Sequence, residues 1–252
     1  MSTLSLGPDD LISHVIKIGI DTYPSIQIPD VQTKLSVFAD EWRRRWPALF
    51  DKLETSSSEF VITKVFRAPT DSRPTATAPT FVLTPRGPVF IRPILIPPPI
   101  GEVGTEEEYI ELFPDLRETF LRSVGGPDCL RIGLVRELLF DTGQTACYGL
   151  LTPEASFAEA TLIGGKGIYV YRDDNCNVRI TLDAVEIGRT TQLPIGQTVT
   201  QPQSHGLTVI LDVNNHQLRA LSDADMEQVL DRARSLWPAP LLEYINALGD
   251  QE

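Results

Sequence analysis

Alternation of apolar and polar residues along the chain predicts a series of β-strands. In Val15–Asp21 an isoleucine occupies every second position, so one face of the segment is apolar. Related patterns predict further strands at Phe60–Phe66, Thr80–Thr84, Val89–Ile96, Leu130–Phe140, Thr161–Arg172, Val178–Ile187 and Leu207–Val213. Because strands come in runs with few helices between them, the pattern favours an α+β fold with mainly antiparallel sheets over a doubly wound fold.

Apolar residues at three- and four-residue spacing predict about three helices. The first is expected over Val31–Leu53, with Pro47 opening a fresh final turn. The second is expected over Thr105–Val124, where a threonine followed three residues later by a glutamate forms a capping box. It should be interrupted at Phe113-Pro114, since proline cannot continue the hydrogen bonding of a helix. The third is expected over Ser222–Leu248, with a serine cap and an apolar stripe.

Two short motifs repeat near the two ends of the chain, Arg43-x-x-Trp46-Pro47-Ala48 and Arg234-x-x-Trp237-Pro238-Ala239. Each helix is expected to stop or kink at its tryptophan because proline follows it. The strand segment Ile16–Ile20 is echoed by Leu130–Leu134, and both carry glycine at their fourth position. These repeats predict two pseudo-repeated α+β halves, residues 1–127 and 128–252, either as two domains or as one continuous domain.

The charge balance argues against a general nucleic-acid binder. The chain of 252 residues has a net charge of -12, whereas binding to phosphates depends on neutralisation by lysine and arginine. One basic segment, Arg43, Arg44 and Arg45, lies between two tryptophans. Helical spacing places Trp42 and Trp46 on the apolar stripe and the arginines on the solvated face. These three arginines are the candidate contact for a nucleic acid or an acidic partner.

Targeting signals are not expected, and the cytoplasm is the predicted compartment. Met1–Asp10 has neither the basic stretch nor the apolar run of a signal peptide. The most apolar tract, Val89–Ile100, is broken by arginine and four prolines, so no membrane-spanning helix is predicted. The chain has three cysteines and no CxxC pair, which fits a reducing environment. The cysteines are Cys129, Cys147 and Cys176.

No segment carries a strong catalytic, cofactor or metal signature. Gly164–Gly167 departs from a phosphate loop at both Ala160 and Gly167, so a bulge or turn in a strand is expected there. The clusters Asp173–Asn177 and Asp212–His216 do not match a calcium loop, and turn chemistry explains them. The histidines lack the spacing of zinc hydrolases, and they are His14, His205 and His216. We therefore predict no catalytic residue, no cofactor and no metal.

Binding to another protein is the predicted function. The segments Arg67–Pro79 and Gly188–Ser204 are expected to be long loops, which are uncommon unless they are functional or disordered. The sequence ILIPPPI is expected to form an exposed apolar ledge for a partner, carried by Ile94, Ile96 and Ile100. These features predict a non-enzymatic binding or regulatory subunit.

Two alternatives stay open at the level of sequence. One is an enzyme whose site is assembled between the halves from an aspartate or glutamate with Arg131 or Arg136. A cleft between the halves would favour this alternative, and a closed interface would not. The other is a nucleic-acid-linked accessory protein that uses Arg43–Arg45, whose binding would be salt-sensitive.

The chain also resembles a sporadically distributed family of uncharacterised bacterial proteins of similar length. The residues that carry the resemblance are Ile16–Ile20, Trp46-Pro47, Arg131–Arg136 and Val209–Asp212, followed by the C-terminal helix. The chain departs from the family pattern where Val135 precedes Arg136, and where Glu137-Leu138 replaces a Tyr-Asn pair. The resemblance implies no established activity. By association, it implies an accessory role in a defence or toxin–antitoxin cassette.

Overall fold

The fold is one antiparallel sheet with helices packed on it. A computed structural model describes residues 5–23, 37–38, 40–41, 44–45, 52–55, 60–63, 80–84, 87–94, 106–124, 128–143, 166–173, 175–192 and 198–249. The strands are β1 (Leu11–Tyr23), β2 (Lys52–Thr55), β3 (Phe60–Thr63), β4 (Thr80–Thr84), β5 (Gly87–Ile94), β6 (Asp128–Gly143), β7 (Lys166–Arg172), β8 (Cys176–Gln192) and β9 (Thr198–Asn215). The helices with described bounds are α1 (Glu106–Val124), α2 (Asp223–Ser235) and α3 (Ala239–Gly249).

The strands of the described ranges form one sheet in the order β2-β3-β4-β5-β1-β6-β9-β8-β7. Every neighbouring pair in this order is antiparallel. The α+β fold with mainly antiparallel sheet is therefore confirmed. A short 3-10 helix, Pro8–Asp10, precedes β1, and residues 37–38, 40–41 and 44–45 are helical.

Strict alternation within the long strands places one face of the sheet in the core. Along β6 the side chains from Ile132 to Phe140 are buried at every second position. The helices cover this face, since α2 contacts β6 and β9 and α1 contacts β1 and β5. Full burial of a large apolar side chain contributes about 1.5–3 kcal/mol, so the alternation fixes which face turns inward.

The two predicted halves meet in the middle of the sheet. Strands β1 and β6 pair along their length, from Leu11 opposite Phe140 to Tyr23 opposite Asp128, and Gly19 lies opposite Gly133. The sheet is thus continuous across the boundary between residues 127 and 128. Outward from this junction, each half places its first strand, then its last strand, then the preceding ones. The pseudo-repeat itself stays a prediction.

The repeated Trp-Pro-Ala motifs do not occupy matching places in this strand order. Helical residues 44–45, just before Trp46, come before β2, whereas Trp237 follows β9. Trp46 and Pro47 themselves lie outside the described residues. At the second motif the prediction is confirmed, because α2 ends at Ser235 and α3 begins at Ala239 beyond a turn.

Three predictions about individual segments were wrong. Lys52–Thr55 forms a strand, so the first helix does not extend to Leu53. Phe113-Pro114 lies within the continuous helix α1 and does not interrupt it. Most of the expected loop Gly188–Ser204 belongs to β8 and β9, whose pairing continues to Gln192 opposite Thr198. The other expected loop, Arg67–Pro79, lies outside the described residues.

A proline within a strand, such as Pro93, favours a sheet edge or a bulge because it has no N–H, yet β5 lies inside the sheet between β4 and β1. The register explains how it is tolerated. Strand β4 pairs with β5 only as far as Ile91, whereas β1 pairs onward through Val15 opposite Pro93 and His14 opposite Ile94. Within the described pairing, Pro93 lies beyond the end of β4, where a missing N–H breaks no ladder bond on that side.

Candidate functional site

A cluster of polar side chains lies inside the core where α1 begins and α2 ends. His14 projects from β1 and Arg136 from β6, and only 5% and 1% of their surfaces are exposed. Glu106 is the first residue of α1, and Trp237 lies in the turn between α2 and α3. Four separate elements thus meet at this cluster.

Arg136 is held by hydrogen bonds to two elements. Its Nε donates to Oε1 of Glu106 at 2.8 Å, and a second nitrogen, Nη2, contacts the same oxygen. Its Nη1 donates to the backbone carbonyl of Ala233 at 2.9 Å. A buried guanidinium is tolerated when it is paired and hydrogen-bonded in this way.

The helix ends reinforce the pair. Glu106 lies at the N-terminus of α1, where the helix dipole favours a negative charge. Arg136 meets the last turn of α2, where unpaired carbonyl groups favour a positive charge. The same two helix ends are bridged a second time, because Nε of Arg234 lies 2.9 Å from Oε1 of Glu107. The cluster therefore fastens α1 and α2 to the centre of the sheet.

His14 completes the cluster as a neutral side chain. Its Nε2 lies 3.3 Å from Oε2 of Glu106, and its ring packs against Trp237 with 5.4 Å between ring centroids. Burial, together with the positive charge of Arg136, lowers the pKa of His14 to about 4. At neutral pH its contact with Glu106 is consequently not an ion pair.

The cluster contains the residue types that the enzyme alternative requires, a glutamate together with Arg136. Both side chains are largely covered by the surrounding protein. A substrate would need access to these groups, and the guanidinium is almost completely covered. A groove of about 220 Å³ between α1 and α2 is lined elsewhere, by Phe113, Met226 and four carboxylates among others. In that groove Arg117 is already bonded to Asp223 at 2.6 Å. The arrangement is suited to holding elements together.

The sequence contains a signal for this cluster in the phase of two strands, although no short motif marks it. His14 stands in phase with Ile16 and Ile18 on β1, and Arg136 stands in phase with the buried leucines of β6. A charged or titratable residue at an inward position of an alternating strand must be paired inside the core. Its partner Glu106 lies 30 positions away at the start of a helix, and sequence spacing alone does not reveal the pairing.

The predicted apolar ledge is placed only in part. Ile94 is the last residue of β5, and its backbone lies opposite His14 of β1. Ile96 and Ile100 lie outside the described residues. The role of these three isoleucines in partner binding stays a prediction.

The described part of the predicted basic segment contacts the neighbouring helix α1. Arg45 lies 3.2 Å from Asp115 of α1 and also contacts Thr119, whereas Arg44 donates to the backbone carbonyl of Asp40. Arg43 lies outside the described residues. Arg45 thus has a structural role in joining two helices, and a role for the segment in binding stays a prediction.

The remaining candidates are mainly turns and strand residues. Lys166 and Gly167 begin β7. Gly164 and Gly165 lie outside the described residues, so the bulge or turn expected there stays a prediction. Asp173 forms the turn between β7 and β8, where its carboxylate accepts from the backbone N–H of Cys176 at 2.8 Å. Within the described ranges no group of three or more His, Cys, Asp or Glu side chains is arranged to hold a metal ion. Among the same residues, no helix has the length and apolarity that a bilayer span requires.

The described cysteines are buried thiols. Burial raises the pKa of Cys129 to about 11 and also raises the pKa of Cys176. A thiol with a raised pKa is a poor nucleophile at neutral pH. Cys147 lies outside the described residues.

Comparisons with known proteins assign no family to the chain. No protein-family model and no curated protein sequence matches it. Among solved structures, a chain from "Structure of the Schizosaccharomyces pombe Mediator head module" is similar over 92% of this chain and 95% of that chain. The sequence identity is 10% and the TM-score is 0.17. At this TM-score the similarity assigns neither a fold nor a function.

Proposed function

We propose that the chain is a non-enzymatic binding or regulatory subunit of a bacterial protein complex. The observation that carries the proposal is the burial of the cluster in which Glu106, Arg136 and His14 meet. Arg136 is 1% exposed, and it donates its hydrogen bonds to Glu106 and to the end of α2. Residues used in this way support the fold and are inaccessible to a substrate.

The junction of the halves supports the same proposal over the enzyme alternative. That alternative needed a cleft between residues 1–127 and 128–252. Strands β1 and β6 instead pair side by side along their length. A continuous ladder leaves no space for a substrate between the two strands at the junction.

The segment Gly188–Ser204 does not support the proposal, because most of it is strand and not loop. The resemblance to the sporadically distributed bacterial family contributes by association. It extends the proposal to an accessory component of a defence or toxin–antitoxin cassette.

The test is affinity purification of the full chain from its native organism, followed by mass spectrometry and mass-calibrated size-exclusion chromatography. We expect a co-purifying protein in a fixed molar ratio that survives the sizing step. The complex should also persist when salt is raised to 0.5 M, because contacts with nucleic acid would be screened at that ionic strength.

A chain that elutes alone, as a monomer or a homodimer, would contradict the proposal. Metabolite screening by thermal shift would then test the enzyme alternative. Loss of the co-purifying material after nuclease treatment would favour the nucleic-acid alternative, which the Arg43→Glu and Arg44→Glu variants would examine further.

A further inference from the structure

The buried cluster contains one group that can change its charge at moderately acidic pH. His14 lies on β1, which is held by β5 on one side and β6 on the other. Its cover consists of the first turn of α1 and the turn that carries Trp237, and neither takes part in the backbone pairing of the sheet. A charge placed on His14 would therefore act on the cover more readily than on the strand.

The charged groups around His14 leave little room for a second cation. From α1 comes Glu106, whose Oε1 is bound by Arg136 of β6 and whose Oε2 lies 3.3 Å from Nε2 of His14, so one carboxylate faces both basic groups. Trp237 adds no titratable group. On β5, Ile94 is the pairing partner of His14, and Arg92 stands at the register position opposite Ile16. The neighbouring pair of Glu107 and Arg234 is already matched.

Protonation of His14 would put two cations beside a single carboxylate in a buried space. The electrostatic conflict is relieved when the imidazolium reaches water, which requires the cover to move away. Rotation of the Glu106 side chain alone would leave Arg136 buried without its carboxylate, which is costly. We therefore expect the cover to open as a unit and not by side-chain rotation alone.

We propose that His14 is an acid-sensitive latch, whose protonation releases the first turn of α1 and the Trp237 turn from the central sheet. The sheet itself stays paired. The latch is closed at neutral pH and opens as the pH falls, which gives the molecule a conformational response that its proposed binding role does not require.

The direction of the pH dependence follows from linkage. The pKa of His14 is about 4 in the closed state and 6.5 in solvent, so the open state binds more protons. The stability that neutral His14 confers on the closed state is full above pH 6.5 and is lost progressively down to about pH 4. Between pH 7 and pH 5 the opening equilibrium should rise about 20-fold.

Amide hydrogen exchange of the full chain at pH 7 and pH 5, corrected for intrinsic exchange rates, tests the latch. Peptides from residues 106–113 and 234–242 should show the 20-fold rise, and peptides from residues 207–213 of β9 should not. In the His14→Gln variant, which keeps a neutral polar side chain, the rise should disappear. His216→Gln is the matched control and should respond as the unaltered chain does.

A nuclear magnetic resonance titration of the His14 imidazole supplies a second measurement should His14→Gln fold poorly. The expected result is a pKa well below 6.5. An ordinary pKa would overturn the latch, as would equal acid responses in β9 and the cover, or an unchanged acid response in a folded His14→Gln protein.

Discussion

At the scale of single residues, one buried arginine fixes the relative positions of three elements. Arg136 belongs to β6, bonds to the start of α1 through Glu106 and to the end of α2 through the Ala233 carbonyl. An apolar side chain of similar volume would fill the same space. It would not specify which helix ends meet there, because apolar contacts are not directional.

Replacement of this arginine should be costly. Arg136→Met leaves Glu106 without its partner, and we expect a loss of about 3–5 kcal/mol in the free energy of unfolding. Urea denaturation followed by circular dichroism would measure it. Arg179→Met, at an exposed position of β8, is the control and should change stability by less than about 0.5 kcal/mol.

A double-mutant cycle makes this prediction sharper. Arg136→Met combined with Glu106→Gln removes the uncompensated carboxylate, so the double variant should lose less stability than the sum of the single variants. Simple additivity would show that the two side chains are not energetically coupled, and it would remove the basis for a directional fastening.

A second residue-scale prediction concerns Gly206 of β9. A Cβ atom at this position would lie 2.8 Å from Cδ1 of Ile187 and 3.0 Å from the backbone oxygen of Phe140. Because the backbone atom cannot move aside cheaply, Gly206→Ala should lower the free energy of unfolding by about 1–3 kcal/mol. Thermal and urea denaturation would measure the change.

Gly133 provides the matched comparison, since a Cβ atom at this position would have its nearest contact at 3.3 Å, with Cβ of Asn214. Gly133→Ala should therefore cost less than Gly206→Ala. The reverse order would mean that crowding does not explain the glycine in β9.

At the scale of elements, α1 shows tertiary contacts overriding local preference. Pro114 lies inside the helix and donates no hydrogen bond to the carbonyl of Ile110. The helix nevertheless continues, because Glu106 is fastened before the proline and Arg117 is bonded to Asp223 after it. Burial of Phe113 holds the intervening turn against the core.

Removal of this proline should stabilise the helix. Pro114→Ala restores a backbone donor, and the gain should be about 1–3 kcal/mol after the greater freedom of the unfolded chain is subtracted. Pro240→Ala is the matched control, since Pro240 lies in the first turn of α3, where proline disrupts no helical bond. An equal gain in both variants, measured by urea denaturation, would contradict the explanation.

Strands β8 and β9 are longer than predicted, and here too local residue preference does not decide the structure. Threonine, glutamine and proline in Gly188–Ser204 suggested a loop, yet backbone pairing continues through them. The shift of register between Ile187 and Gly188 places Pro202 opposite a glycine, which accommodates the missing N–H. Ladder bonds join backbones, so a polar segment can extend a strand that its apolar part has begun.

At the scale of the whole molecule, the two halves complete each other. Strand β1 would become an exposed edge without β6, and β6 would lose the same partner without β1. The cluster would be divided as well, since His14 and Glu106 belong to residues 1–127 and Arg136 to residues 128–252.

The halves should therefore not be stable when separated. We expect the fragments 1–127 and 128–252 to aggregate or to lack cooperative unfolding when expressed singly, because unpaired edge strands promote association. Co-expression should recover a soluble complex that unfolds in a single transition. Two fragments that each unfold cooperatively would instead establish two independent domains.

The sequence by itself determined the local structure that depends on periodicity. Alternating isoleucines specified β1, the phase of its neighbours specified the inward face, and proline after Trp237 ended α2, because these effects act between residues close in the chain. Tertiary structure decided the order of the strands, the continuity of α1 through Pro114 and the meeting of His14, Glu106 and Arg136. These outcomes depend on contacts between residues that are distant in the chain. Glu106 and Arg136, for example, are 30 positions apart, and no short-range pattern encodes such a pairing.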